Sequence, residues 1–149
     1  MIPVNPWEYQ NAIKTLYARC VGRVCMKHEL TRMELDILLF LANNPRYDTA
    51  TEIVEIRYLS KSQVSGAVRL LEEKGFLRKE YTQNNKKTAH LKICGAAFPI
   101  ITDGRAAQEE FIAVLTGGFS EKESEGMKRC LEHIRKNIDN YLKEETEVC

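Results

Sequence analysis

The chain has 149 residues, 44% of them apolar and 29% charged, proportions that suit one globular domain of roughly 100–200 residues and exclude a disordered or fibrous chain. Its 22 basic and 21 acidic side chains leave a formal charge of +1, so any basic surface for nucleic acid must be local. The longest apolar run, Ile37 to Ala42, is six residues, against the about 18 that suggest a membrane span, and no membrane partner is expected. The start Met1-Ile2-Pro3-Val4-Asn5-Pro6 lacks the basic and apolar regions of a signal peptide, and five cysteines (20, 25, 94, 130 and 149) form an odd set without a CxxC pair. That is the pattern of reduced thiols, and a cytoplasmic protein is expected.

In chain order, the first predicted helix covers about residues 7–27 and carries the apolar stripe Trp7, Tyr9, Ile13, Leu16 and Tyr17. Three capping boxes follow, Thr31 with Glu34, Thr49 with Glu52 and Ser60 with Gln63. In each, paired side chains can satisfy the orphan amides of a helix start, which predicts helices over about 31–43, 49–57 and 60–74. Asn43-Asn44-Pro45 stops the first of these, and Gly75-Phe76 has the form of a left-handed cap on the third. After Phe76 the periodicity becomes two: Leu77, Lys79 and Tyr81, then Ala89, Leu91 and Ile93 against Thr88, His90 and Lys92. The polar turn Gln83-Asn84-Asn85-Lys86-Lys87 between them predicts a β-hairpin. A fifth helix is expected over about 96–116, with a late start or bend where Pro99 and Asp103-Gly104 fall in it. A fourth capping box, Ser120 with Glu123, opens a last helix over about 120–145. The fold class is therefore mainly α with a small β-hairpin.

Charge is unevenly spread along this order. Residues 57–92 hold nine basic groups against three acidic ones, whereas the other 113 residues hold 13 against 18. Within the 60–74 helix, Val64, Ala67, Val68 and Leu71 form the stripe to be buried, leaving Lys61, Ser62, Ser65, Gly66 and Arg69 on the outer face. A solvated face accounts for these residues. So does DNA recognition, because small side chains let a helix approach a groove while Arg, Gln and Ser bond base edges or phosphates. The short helix before it and the three-residue turn Arg57-Tyr58-Leu59 favour the second reading, since together they make a helix-turn-helix, although without the glycine often found in the turn. The hairpin then becomes a wing. Ser62, Gln63, Ser65 and Arg69 are the expected base-side residues, with Lys61, Arg78, Lys86 and Lys87 on phosphates.

The stretches Leu30-Thr31-Arg32-Met33-Glu34-Leu35-Asp36-Ile37-Leu38, Leu59-Ser60-Lys61-Ser62-Gln63-Val64-Ser65 and Leu70-Leu71-Glu72-Glu73-Lys74-Gly75-Phe76-Leu77 resemble, in order and spacing, the MarR family of bacterial winged-helix transcription regulators. The likeness covers nearly the whole chain. It implies one winged-helix domain over 1–149, with residues 31–94 as the DNA-binding module and 1–30 and 95–149 as a helical dimerisation region. It also implies a homodimer that binds a pseudo-palindromic operator in double-stranded DNA, as a repressor, and lets go when a small molecule or an oxidant acts. Where the family has an Asp-x-Arg pair in the wing this chain has Asn85 and Lys87, and where it has Leu-Thr it has Ile93-Cys94. The missing Asp removes an acceptor that would orient the wing cation.

The terminal helices point to dimerisation by themselves. Met127, Leu131, Ile134, Ile138 and Tyr141 are spaced 4, 3, 4, 3, a single apolar seam, and Trp7, Tyr9 and Ile13 begin a second stripe at the other end of the chain. Packing within one chain explains either stripe; the pair favours intersubunit packing. By the resemblance, a small aromatic effector would sit near Tyr17, Met33 and the start of the fifth helix. Cys20 and Cys25 are the candidates for redox sensing, with Arg19, Arg23 and Lys27 near enough in sequence to lower a thiol pKa; buried or idle thiols are the alternative. Cys25 and His28 make only two ligands of a metal site. No Gly-rich phosphate loop, HExxH or nucleophile elbow occurs. Neither a metal, a cofactor nor an enzyme activity is expected. A winged helix used as a protein-interaction module without DNA is the reading from another class, and the cationic cluster at 57–92 argues against it.

Overall fold

The structure, a computed structural model, describes residues 5–148; Met1 to Val4 of the start read against a signal peptide, and Cys149 among the cysteines, lie outside them. Six helices and one hairpin follow in the order α1 (Pro6–His28), α2 (Arg32–Asn43), α3 (Ala50–Arg57), α4 (Lys61–Glu73), β1 (Leu77–Thr82), β2 (Asn85–Ile93), α5 (Phe98–Leu115) and α6 (Glu121–Val148). A single 3-10 turn, Gly95–Ala97, leads into α5. The chain divides into two compact units, one through Phe111 and one from Ile112 onward.

Helix starts are set locally. Thr31, Thr49 and Ser60 each accept a bond from the backbone N–H three residues on, and Glu34, Glu52 and Gln63 return the bond to the cap residue's N–H. Ser120 and Glu123 do the same for α6. The α4 helix ends on Gly75 at φ 79°, with Phe76 N–H donating to Leu71 O and Gly75 N–H to Glu72 O. This paired bonding uses up the last carbonyls of the helix and turns the chain into β1.

In the first unit α2 is the central element. Leu35 and Ile37 to Leu41 are all buried, so the helix is apolar around most of its circumference, as a helix covered by neighbours must be. Val21 of α1, Ile53 of α3, Val64, Val68 and Leu71 of α4, Leu77 of β1, Leu91 of β2 and Ile100 of α5 are among the residues that join it in the core. Each such side chain contributes roughly 1.5–3 kcal/mol on leaving water.

Of the late start or bend expected in α5, the structure has the first: the α-helix begins at Phe98, after the 3-10 turn, and runs unbroken to Leu115, because Pro99 falls in its first turn, where its missing N–H has no intrahelical partner to lose. Gly104 is not a weak point but a close approach: a Cβ there would lie 2.7 Å from Leu39 Cδ2. The glycine lets α5 lie down on α2.

One buried carboxylate ties the helices together. Glu34 is completely inaccessible, and Lys74 Nζ donates to its Oε2 at 2.8 Å, to its Oε1 at 3.1 Å and to the Glu29 carbonyl at 3.1 Å. Burial pushes the Glu34 pKa up, but the bonds from Lys74 and Thr31 outweigh it and hold the carboxyl below its usual range. The C-terminal end of α4 is thereby pinned to the start of α2.

In the second unit α6 is 28 residues long and buries none of them.

Candidate nucleic-acid interface

The outer face of α4 has the composition expected of it. Lys61, Ser62, Gln63, Ser65 and Arg69 are exposed and Gly66 is half-buried, opposite buried Val64, Ala67, Val68 and Leu71. The preceding turn dispenses with glycine because Tyr58 itself adopts the left-handed conformation, φ 52°, at a strain of about 1–2 kcal/mol. Its N–H caps Val54 O, and Leu59 N–H reaches the same carbonyl. Helix, turn and helix are held by backbone bonds.

Two side chains on the α4 face are already engaged. Gln63 spends its amide oxygen on the Ser60 cap, accepting from Ser60 Oγ at 3.0 Å, so only its NH2 end is left to approach a base. Ser62 Oγ stands 3.3 Å from Ser60 Oγ.

The wing differs from the sequence reading in one respect. Asn85, Lys86 and Lys87 belong to β2, and the turn is Gln83-Asn84 alone, with Thr82 paired to Asn85. A register shift between Glu80 and Thr82 puts the extra residues on β2, because one residue of β1 separates the pairs Glu80–His90 and Thr82–Asn85 while residues 86–89 separate them on β2, and such a bulge sharpens the local twist. Asn85 takes over the tip: its Oδ1 accepts from Lys87 N–H at 3.0 Å and Thr88 N–H at 3.2 Å, while its Nδ2 donates to Thr88 Oγ1. Asparagine in place of aspartate thus orients the backbone of the wing and leaves the lysine heads exposed.

Pairing sorts the nine cations of residues 57–92. Arg69 meets Glu73 at 3.5 Å, Lys74 meets Glu34, Lys79 meets Glu72 at 3.0 Å and Lys92 stands 3.5 Å from Asp48. Arg78 donates both Nε and Nη2 to Glu80 Oε1, at 3.0 and 2.8 Å, and that carboxylate raises the Arg78 pKa further. Arg57, Lys61, Lys86 and Lys87 have no carboxylate partner among the described residues. The uncompensated positive charge is therefore carried by the end of α3, the start of α4 and the wing tip. Arg57 was missed as a site residue; its position at the end of the short helix was the available signal. Arg78, expected on phosphate, is held instead by its neighbour two residues on.

Asp48 was also missed. It lies half-buried just before the Thr49 cap, and its Oδ1 accepts from His90 Nδ1 at 2.9 Å while its own carbonyl accepts from Leu91 N–H at 2.7 Å. Burial alone would raise its pKa, but His90 and then Lys92 more than reverse this and hold it low. Nothing in sequence links residues 48 and 90 except their residue types.

The stripe residues Trp7, Tyr9 and Ile13 are exposed on α1, as are Leu131, Ile134, Ile138 and Tyr141 on α6, with Met127 half-buried. A groove of about 500 Å3 is lined by Ile13, Lys14, Tyr17, Ala18, Arg32 and Phe111. Tyr17 stacks edge-on against Phe111 with centroids 5.0 Å apart, lies under the Arg32 guanidinium and accepts a bond from Gln108. Met33 is not in this lining; it packs against the core. The start of α5 is absent from it too, replaced by Phe111.

Cys20 is buried and Cys25 half-buried. Burial raises the Cys25 pKa, only partly offset by Arg32, while Arg23 and Lys27, expected to activate a thiol, pair with Glu110 and Asp103. A raised pKa means less thiolate, the reverse of a sensor's need. His28 of the Cys-x-x-His pair bonds Asp103 at 2.7 Å, and no group of three or more metal-ligating side chains occurs among the described residues. No described helix is long and apolar enough to cross a membrane.

Comparison with known proteins agrees with this geometry. The MarR family model matches residues 28–87. Over 130 residues the chain is 22% identical to the HTH-type transcriptional regulator PecS of Dickeya dadantii (strain 3937), spanning 86% of this chain and 78% of that one. Its fold is similar to that of a MarR family transcriptional regulator from Listeria monocytogenes solved with a 26mer DNA, with TM-score 0.83, 20% identity and 95% and 93% of the two chains covered. It is also similar to MepR from S. aureus in its DNA complex, with TM-score 0.74, 15% identity and 91% and 96% covered. The family model thus matches the stretch from the end of α1 into β2, and the described chain has a winged-helix fold similar to that of these solved structures.

Proposed function

We propose that the protein is a DNA-binding transcriptional regulator that acts as a homodimeric repressor on a pseudo-palindromic operator. Two copies of α4 enter major-groove segments about one helical turn apart. The observation that carries this reading is the sorting of charge: Arg57, Lys61, Lys86 and Lys87 are free of carboxylates while every acidic group of residues 57–92 is tied to a cation. Ser62, Ser65 and Arg69, with the NH2 end of Gln63, face bases; Lys61, Lys86 and Lys87 face phosphates, and Arg78 joins them only by leaving Glu80. Residues 31–94 form the binding module, and residues 1–30 and 95–149 the dimerisation region, in which the apolar seam of α6 buries against a second copy.

Selection of bound fragments from a random duplex pool tests this reading, and recovery of no consensus overturns it. With a consensus in hand, Arg69→Ala is expected to cost about 1–3 kcal/mol and to relax preference at one position. Changing Lys86 and Lys87 to Ala is expected to lower the slope of log affinity against log salt by up to about 2 per subunit while the preferred site survives.

The groove beside Tyr17 supports release by a small aromatic ligand, since Tyr17 and Phe111 offer ring faces and Lys14 and Arg32 offer charge. Such a ligand acts only by preferring a spacing of the two α4 helices that does not fit DNA. If titration with aromatic acids leaves the fluorescence of a labelled operator complex unchanged, this part of the reading fails.

A further inference from the structure

We infer that Asp48 registers the wing against the helix-turn-helix, fixing where Lys86 and Lys87 meet DNA relative to α4. The inference rests on the DNA-binding reading above and names a positioning residue within it. Three contacts converge on this residue from consecutive positions of β2. His90 Nδ1 donates to Oδ1 at 2.9 Å, Leu91 N–H donates to the carbonyl at 2.7 Å, and Lys92 Nζ stands 3.5 Å from Oδ2. On its other side Asp48 N–H donates to Glu52 Oε1 at 3.2 Å, and Glu52 is the return half of the α3 capping box. A continuous chain of bonds therefore runs from the wing stem into the first helix of the helix-turn-helix.

The hairpin has few other means of holding its angle. A two-stranded ribbon is marginal alone, and this one buries only Leu77 of β1 and Leu91 of β2. Leu91 carries one of the three Asp48 contacts, so the apolar foot of the wing and its polar latch coincide. Five residues beyond Leu91 toward the tip stands Lys86, exposed. At about 3.3 Å per residue a small change of angle at the foot moves the lysines by several ångströms at the tip, enough to break a phosphate contact.

The sign of the effect separates this role from plain electrostatics. Replacing Asp48 by Asn removes a negative charge near a basic surface, which by charge alone tightens binding to DNA. Loss of registration loosens it. The test is a cycle of Asp48→Asn and Lys86→Ala/Lys87→Ala, separately and together, on a duplex recovered from a random pool by the wild-type protein, with affinity measured across a salt series. If the wild type recovers no duplex, the DNA-binding reading falls and this inference with it. With a duplex in hand, Asp48→Asn is expected to weaken binding and to lower the salt slope toward that of the double-lysine variant. Once the lysines are gone it should add less than about twofold, the margin for sites that act through one another rather than independently. Equal weakening in both backgrounds would mean a general loss of stability, and tighter binding would mean simple charge removal; either overturns the inference. Should Asp48→Asn not fold by circular dichroism, His90→Gln, which leaves the Leu91 bond to the Asp48 carbonyl, carries the same cycle.

Discussion

Between Thr31 and Cys94 every helix is capped by its own side chains and buries apolar side chains within the module, whereas the 28 residues of α6 bury none and carry Leu131, Ile134, Ile138 and Tyr141 exposed. Both stretches obey the same helical periodicity. The difference lies in what the periodicity meets: inside the winged module each apolar stripe has a counterpart within the chain, and on α6 the stripe is a single seam of the width found in coiled coils. The stripes of the module are covered within the chain, while on the homodimeric reading proposed above the seam of α6 meets a second copy. The largest test of that contrast is Leu131→Asp with Ile138→Asp. Each buried aliphatic contributes roughly 1.5–3 kcal/mol, and a symmetric pair of chains loses four. Sedimentation at micromolar concentration should then show a monomer with DNA affinity lost by orders of magnitude, while the circular dichroism of the winged module survives. A dimer that persists would move the interface elsewhere.

Within the module the counterpart experiment strikes the buried pair. Lys74→Met leaves the Glu34 carboxylate with no access to water and no cation, a situation that costs about 3–5 kcal/mol, read by urea denaturation. Glu34→Gln should cost less, because Lys74 is partly exposed and can rehydrate. The pH dependence follows from the lowered pKa of Glu34. A carboxyl whose folded pKa lies below its unfolded value of about 4.3 contributes stability that is present above that value and is lost as pH falls through the lowered one. The wild type should therefore weaken steeply in acid below about pH 4, and the Glu34→Gln variant less so. An identical acid limb in both proteins would remove Glu34 as the cause.

The two regions were not equally legible in the sequence, and the reason is distance along the chain. Capping boxes, the Gly75 cap and the two-residue alternation after Phe76 are interactions over two to five positions, so residue types alone determine them. The α4 face was legible because its buried stripe is helical and local. The partners of Glu34, Asp48 and Gly104 lie 40, 42 and 65 positions away, and there residue types carry little signal: Gly104 read as a possible bend in the fifth helix and Asp48 did not stand out. Asn85 falls between these cases. An asparagine two residues before a lysine in a turn can accept from the backbone, and reading it only as a missing aspartate hid that.

Gly104→Ala measures how tightly the module is packed. Alanine gains about 0.5–1 kcal/mol in a helix, but its Cβ would meet Leu39 Cδ2 at 2.7 Å and Cδ1 at 3.1 Å. Leu39 is buried and cannot swing clear, so overpacking at about 1–3 kcal/mol wins and the thermal midpoint should fall by several degrees. An unchanged or higher midpoint would show that α5 and α2 have room to part, and the close approach would lose its significance.

The smallest effect lies on the wing, where two carboxylates do opposite things. Asp48 is half-buried and bonded to three consecutive residues of β2; Glu80 is exposed and serves one guanidinium. Exposed ion pairs are worth at most about 1 kcal/mol, so Glu80 does not hold the hairpin together, and the thermal midpoint of Glu80→Gln should match the wild type. What Glu80 does is occupy Arg78. With the carboxylate gone, Arg78 joins Arg57, Lys61, Lys86 and Lys87 as a fifth cation without a carboxylate partner, able to reach a phosphate. Binding to operator and to random duplex should tighten by the same factor, roughly three- to tenfold at about 50 mM salt for a molecule with two wings, and the salt slope should steepen by about 0.9 per subunit. Putting Arg78→Gln into the same chain should cancel the gain, because the effect runs through that guanidinium. A gain that persists without Arg78 would reduce Glu80 to a bystander charge, and a loss of affinity on Glu80→Gln would mean that Glu80 aims Arg78 at the DNA, making it a second positioning residue of the same kind as Asp48.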